Sequence, residues 1–159
     1  MNEKLVECLQ ELLFGLSKQT LLRAVQCEIF KFKGFLKLHK KYTEHLEEER
    51  EYMQKAIEHI IKLGGKINLN FKNNSSLKAT NELDKIYENP VDYLKYECEI
   101  SKNGLTWLKE VIKKAEDEYS TYDFLVEYYK DEQKDLEWTL QQLNLIKTIG
   151  EENWIINQI

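Results

Sequence analysis

Apolar residues recur every three or four positions over four long stretches of this chain, the spacing of an amphipathic helix and not the alternation of a strand. The first stretch, from about Asn2 to Phe30, sets Leu5, Leu9, Leu12, Leu16, Cys27 and Phe30 on one face, and Gly34 supplies the first turn. The second runs from about Phe35 to Leu63 through Leu38, Tyr42, Leu46, Met53, Ala56 and Ile60. It stops at Gly64-Gly65, where glycine can take the left-handed backbone that closes a helix. Asn89 before Pro90 reads as an N-cap with proline in the first turn, opening a third helix that carries Leu94, Cys98, Leu105, Leu108 and Ile112. The fourth extends from near Thr121 to about Gly150, with Leu125, Tyr129, Leu136 and Leu143 on its stripe. The tail, Glu151 to Ile159, holds Trp154, Ile155, Ile156 and Ile159 and reads as a small terminal helix. Between the second and third helices lies a polar stretch, Lys66 to Asn89, with Asn73-Asn74-Ser75-Ser76 and an expected short turn of helix near Glu82 to Tyr87.

The connections are therefore short, long and short. Helices of this length span about 40 Å, and a short connection makes its two helices antiparallel neighbours. The long one can travel the length of a bundle and leave the second and third helices parallel. The expected fold is all-α: one domain over residues 1–159, a four-helix bundle with one long crossover and a short C-terminal helix. Two residues break the pattern. Glu49 falls between Leu46 and Met53, and Glu132 between Tyr129 and Leu136, each on the stripe that should be apolar. A buried carboxylate is costly unless compensated, so the two predict a shared acidic site inside the bundle.

Composition narrows the function classes. The net charge is −5 and the one concentrated run, Glu44 to Glu51, is acidic, which excludes a nucleic-acid-binding face. No segment approaches the roughly 20 apolar residues of a membrane span. Met1 to Leu13 alternates charge with Leu and Val, so no signal peptide is expected. Cys8, Cys27 and Cys98 are widely spaced within helical patterns and read as small core residues of a reducing cytoplasm.

One-crossover bundles of the ferritin-like class place a Glu from each of two helices, and a Glu-x-x-His from each of the other two, in the interior to hold two metal ions. Residues i and i+3 share a helix face, so both side chains of each pair can grip one ion. Here the second helix offers Glu49-Arg50-Glu51-Tyr52 and the fourth Glu132-Gln133-Lys134-Asp135: the spacing without the histidines. Through Glu48 to Tyr52, Ile57 to Gly65, Lys130 to Gln133, Glu137-Trp138, Leu143 to Ile146 and Gly150 to Ile159, the chain resembles the bacterioferritins over nearly its whole length. The resemblance implies a cytoplasmic hollow shell of identical subunits, a 24-mer in preference to a 12-mer, with a sister ferritin subunit as a further partner. It also implies oxidation of ferrous iron at an intrasubunit two-iron centre, storage of the mineral inside, and haem at dimer interfaces.

Carried over residue by residue, the centre departs from the family. The first-helix Glu aligns with Leu16, the second-helix pair with Glu49 and Tyr52, and the fourth-helix pair with Glu132 and Asp135. The third-helix ligand aligns with Ser101 or, one turn earlier, Glu97, depending on where the crossover gap is placed. Arg50 stands where the family has its haem-ligating methionine, so no haem is expected. Glu11 lies roughly 140° around the helix from Leu16 and does not substitute for the missing ligand. Asp135 is a hard oxygen donor, whereas Tyr52 would first have to lose a proton with a normal pKa near 10.

Arg23 competes for the same space. It follows Leu9, Leu12, Leu16 and Thr20 along the stripe that should face the site, and its guanidinium is expected to pair with Glu49 and Glu132. The first reading is an iron-storage subunit of a hollow homo-oligomer, with a degenerate ferroxidase centre built on Glu49, Glu97, Glu132 and Asp135 and at best weak or altered activity. The second is a non-enzymatic ferritin-fold shell or interaction protein whose former site is filled by an Arg23-carboxylate network. A third places Mn or Zn in the altered site. His45 and His59 are expected in packing or interface roles, with His39 and Arg50 on the surface.

Overall fold

The computed structural model describes residues 2–70 and 89–159. Its helices are α1 (Glu3–Phe32), α2 (Leu36–Lys62), α3 (Pro90–Lys114), α4 (Tyr119–Ile149) and α5 (Glu151–Ile156). The short turn expected near residues 82–87 lies outside the described residues.

The helix ends follow from local chemistry. Asn2 Oδ1 accepts from the Leu5 amide at 3.1 Å to open α1, and Asn89 Oδ1 accepts from Val91 at 2.9 Å with Pro90 in the first turn of α3. At the end of α1, Gly34 takes φ +85° and the Phe35 amide reaches back to the Phe30 carbonyl at 2.9 Å. Gly64 and Gly65 repeat this closure on Ile60 at the end of α2. A Cβ on Gly65 would come within 2.6 Å of Val6 Cγ1, so the close approach of α2 to α1 requires glycine there.

Each of the four long helices packs on two others: α1 on α2 and α3, and α4 on α2 and α3. Asn2 Nδ2 donates to the Lys114 carbonyl at 3.3 Å, placing the start of α1 beside the end of α3. His59 Nδ1 and Thr121 Oγ1, 3.0 Å apart, join the end of α2 to the start of α4. Neighbours are thus antiparallel, and the diagonal pair α2 and α3 runs parallel, as one long crossover demands.

The core is in two parts. Around the start of α1, Leu5, Leu9, Leu12 and Leu16 pack with Ala56, Ile60, Leu108 and Leu125. At the other end Phe30, Leu38, Tyr42, Tyr93, Leu94, Ile146 and Trp154 form a second cluster. Removing a leucine side chain from such packing costs about 2–5 kcal/mol. Each long helix places a charged residue between the two clusters: Arg23 after Leu16, Glu49 after Tyr42, Glu97 after Leu94, and Glu132 after Tyr128. That layer is the candidate site. On α3 the fully buried position near its end is Val111, one residue before Ile112, which is only half-buried.

Candidate metal centre

Arg23 occupies the middle of the polar layer. Its Nη2 lies 2.6 Å from Glu49 Oε1 and its Nε donates to the same oxygen at 3.1 Å, while Nη1 pairs with Glu97 Oε1. The side chains are 12%, 6% and 14% exposed for Arg23, Glu49 and Glu97, so the network is largely withdrawn from water. Tyr42 donates to the other Glu97 oxygen at 2.8 Å and sets its ring 5.3 Å from the guanidinium carbon. Tyr93, fully buried, lies within electrostatic reach of Glu97. Burial works against the arginine charge, yet Glu97, Tyr93 and Glu49 more than offset it and hold its pKa well above the usual value. Burial pushes the Glu49 carboxyl up despite Arg23.

The expected partner of Arg23 beside Glu49 was Glu132; the structure gives that place to Glu97. Glu132 is half-buried within electrostatic reach of Arg23 but outside its ion pairs. Burial, then Asp135 and Glu49, push it up to about 8. Asp135 rises to about 7 through burial and then Asp131 and Glu48. Leu16, 1% exposed, belongs to the apolar cluster and offers no donor. Ser101 is half-buried one turn beyond Glu97 and takes no part in the Arg23 pairs. Tyr52 packs 4.8 Å from the Tyr128 ring, and burial together with the nearby Asp131 charge pushes its phenol far above the usual range. It remains a phenol, poorly suited to bind metal as phenolate.

As they stand, these donors do not fit a two-iron centre. Such a centre needs carboxylates bridging two cations, and here the guanidinium already sits between Glu49 and Glu97 as the cation. One carboxylate oxygen, Glu49 Oε2, is buried without a partner. Glu49 Oε1 is taken by the guanidinium, so bridging two cations would first require that ion pair to break.

The histidines are structural in different ways. His59 stacks on Phe124 with centroids 4.8 Å apart and a 7° interplanar angle. His39, expected on the surface, is half-buried, and its Nδ1 lies 2.9 Å from the Cys27 carbonyl, which corrects that expectation: the ring ties α2 to α1. His45 is buried between Tyr42 and Trp138, and burial, then Arg23 and Lys41, lower it to about 3. It is neutral near pH 7. Beside it, Glu48, Asp131 and Asp135 bring carboxylate oxygens within 4.8 Å of one another, a grouping that joins two helices distant along the chain. Among the described residues, no helix is long and apolar enough to cross a membrane.

These shifts fix a pH dependence. Folded Glu132 and Asp135 keep protons that the unfolded chain, with ordinary values of 4.5 and 3.8, has already released. Their contribution to stability is therefore complete below those values and is lost as pH rises towards 7 and 8. His45 acts oppositely below its ordinary 6.5, because unfolding then takes up a proton. The metal-free protein is expected to lose about 2 kcal/mol of stability between roughly pH 6.5 and 8. Thermal melts across that range check it; Glu132→Gln should remove most of the slope, and a flat wild-type profile would contradict the assignment.

A four-helix bundle with one crossover and a layer of carboxylates at its middle defines the class. The chain belongs to the ferritin family: residues 4–149 match the ferritin-like domain. It is similar to the bacterial ferritins of Neisseria meningitidis serogroup B and Neisseria gonorrhoeae, each 29% identical over 161 aligned positions that cover 99% of this chain and 98% of the relative.

Proposed function

We propose that this chain is an iron-storage subunit of a hollow ferritin-like homo-oligomer in which the Arg23 network replaces the intrasubunit metal centre. Iron is cargo, held by the shell, and oxidation at the old centre is weak at best. Membership of the ferritin family and full-length similarity to bacterial ferritins support the storage role. The observation that carries the loss of the centre is the Arg23 guanidinium paired with both Glu49 and Glu97. Glu49, Glu97, Glu132 and Asp135 are then remnants of a ligand set, with Leu16 and Tyr52 at positions that have lost their donors. Arg50, exposed on α2, stands in for a haem-binding methionine and leaves the shell without haem.

Assembly is supported by the surface of α1. Leu21, Val25 and Phe32 share one helix face and are 68%, 41% and 93% exposed, more than a lone subunit would gain from leaving to water. A 24-mer in the cytoplasm follows from the family reading, with a sister subunit as a natural supplier of fast oxidation.

Light scattering and ferrous oxidation followed by ultraviolet absorbance test the two halves separately. The particle mass should be a large multiple of the 19.0 kDa chain, and a monomer at all concentrations overturns the shell. Wild type, Glu49→Ala and Glu132→Ala should oxidise iron at rates within about twofold of one another, since only a working centre would make these carboxylates matter. A rapid phase that disappears in Glu49→Ala overturns the replacement.

A further inference from the structure

The turn joining α1 to α2 holds the densest positive charge in the chain. Residues 31–41 contain five lysines, Lys31, Lys33, Lys37, Lys40 and Lys41, and no acid, although the net charge is −5. The nearest acids along the chain, Glu28 and Glu44, lie outside the turn. The lysines are interleaved with apolar residues, two of which face water: Phe32 is 93% exposed and Leu36 56%. Lys31, Lys37 and Lys40 are exposed as well and make no ion pair among the described residues. Gly34, at φ +85°, folds the end of α1 back into the start of α2, so these side chains share one tip of the bundle. The local charge works against the fold. α2 opens without an acid in its first turn and without a side-chain cap, and Lys37 and Lys40 stand in its first two turns, at the positive end of its dipole. Asn2 and Asn89, by contrast, cap α1 and α3.

We propose that this tip docks on an anionic phospholipid surface, with Phe32 and Leu36 entering below the headgroup phosphates and the lysine ammoniums staying level with them. Interleaved apolar and basic side chains suit a soft anionic layer, where each lysine keeps water and phosphate around its head while its stem lies along the acyl boundary. A second copy of the chain is a poorer occupant. Burying Phe32 in a protein contact would withdraw the neighbouring Lys31 and Lys33 ammoniums from water, and taking charge out of water is costly. Phe32 ends the α1 face that begins with Leu21 and Val25; those two lie clear of these lysines and remain for subunit contact. The Lys37 amide is already taken by the Gln158 carbonyl at 3.1 Å, so the attraction comes from side chains and not from a backbone phosphate cradle. No helix has to cross the bilayer for such a contact. The turn belongs to one chain, so the inference stands apart from the storage reading, and a shell would only repeat it.

Cosedimentation of the full-length protein with phosphatidylcholine vesicles, with and without phosphatidylserine, tests it. Binding is expected only where phosphatidylserine is present and should weaken as salt is raised. Phe32→Ser should lower the affinity about tenfold. Lys37→Gln/Lys40→Gln should lower it about 25-fold, roughly fivefold for each charge near the surface. Both variants change exposed side chains and should fold. Removing two exposed charges elsewhere, as in Lys102→Gln/Lys109→Gln on α3, should leave the affinity within about twofold of wild type. Equal binding to both vesicles, no binding to either, or an equal loss in the two lysine pairs overturns the inference whatever the iron assays show. So does a short DNA duplex bound as tightly as the charged vesicles, or a particle mass lowered by Phe32→Ser, which would assign the ring to a contact between copies.

Discussion

Arg23→Leu is expected to lower the unfolding free energy by about 3–5 kcal/mol, because it leaves two largely buried carboxylates without their cation. The loss is large for reasons visible around Arg23. Glu49 is bound through Nε and Nη2, Glu97 through Nη1, and the Tyr42 ring faces the guanidinium, so a single truncation removes three charge-assisted hydrogen bonds and a cation–π contact together. Arg23→Lys keeps the charge but not the planar fork, and one ammonium cannot reproduce two bonds to Glu49 while reaching Glu97. Its loss should fall between wild type and leucine. Neutralising the stranded acids in Arg23→Leu/Glu49→Gln/Glu97→Gln should recover a substantial part of the deficit, since most of the penalty is uncompensated charge rather than missing attraction. Urea denaturation of the four proteins measures all of this. Equal midpoints for wild type and Arg23→Leu would remove the network as the compensating element for the buried glutamates.

The bundle was legible because its punctuation is local. Gly34, Gly64 and the Asn89-Pro90 pair act within a turn of where they stand, and each closes or opens a helix as the residues alone imply. Arg23 could likewise be placed by counting along one helix. Its partner could not: choosing Glu97 over Glu132 requires the register of α3 against α1, which the crossover hides. The same limit concealed the acidic group on the α2 and α4 pair. His45 and Glu48 are three apart and Asp131 and Asp135 four apart, a signal present in the sequence, but joining the pairs needs the rotation of two helices that are distant along the chain. His39 misled for another reason. It flanks the start of α2, where an apolar stripe does not show that its ring reaches the Cys27 carbonyl across the hairpin.

Trp154→Ala is expected to cost about 3–5 kcal/mol, a loss comparable to that of Arg23, although Trp154 lies in a six-residue helix at the end of the chain. The indole is fully buried in the cluster that also holds Phe30, Tyr42, Tyr93 and Ile146, and its Nε1 donates to Gln142 Oε1 at 2.9 Å. Gly150, at φ +87°, turns α5 back on the bundle, and the Lys37 amide donates to the Gln158 carbonyl at 3.1 Å to fix the tail beside the start of α2. Alanine would leave a cavity on the cluster that positions Tyr42, whose hydroxyl donates to Glu97. The damage should therefore reach the ion network. In a double-mutant cycle, Trp154→Ala and Tyr42→Phe should be non-additive by about 0.5 kcal/mol or more, whereas Trp154→Ala and Leu9→Ala, in separate clusters, should add. Full additivity in the first pair would mean that the tail closes the end of the bundle without supporting the polar layer.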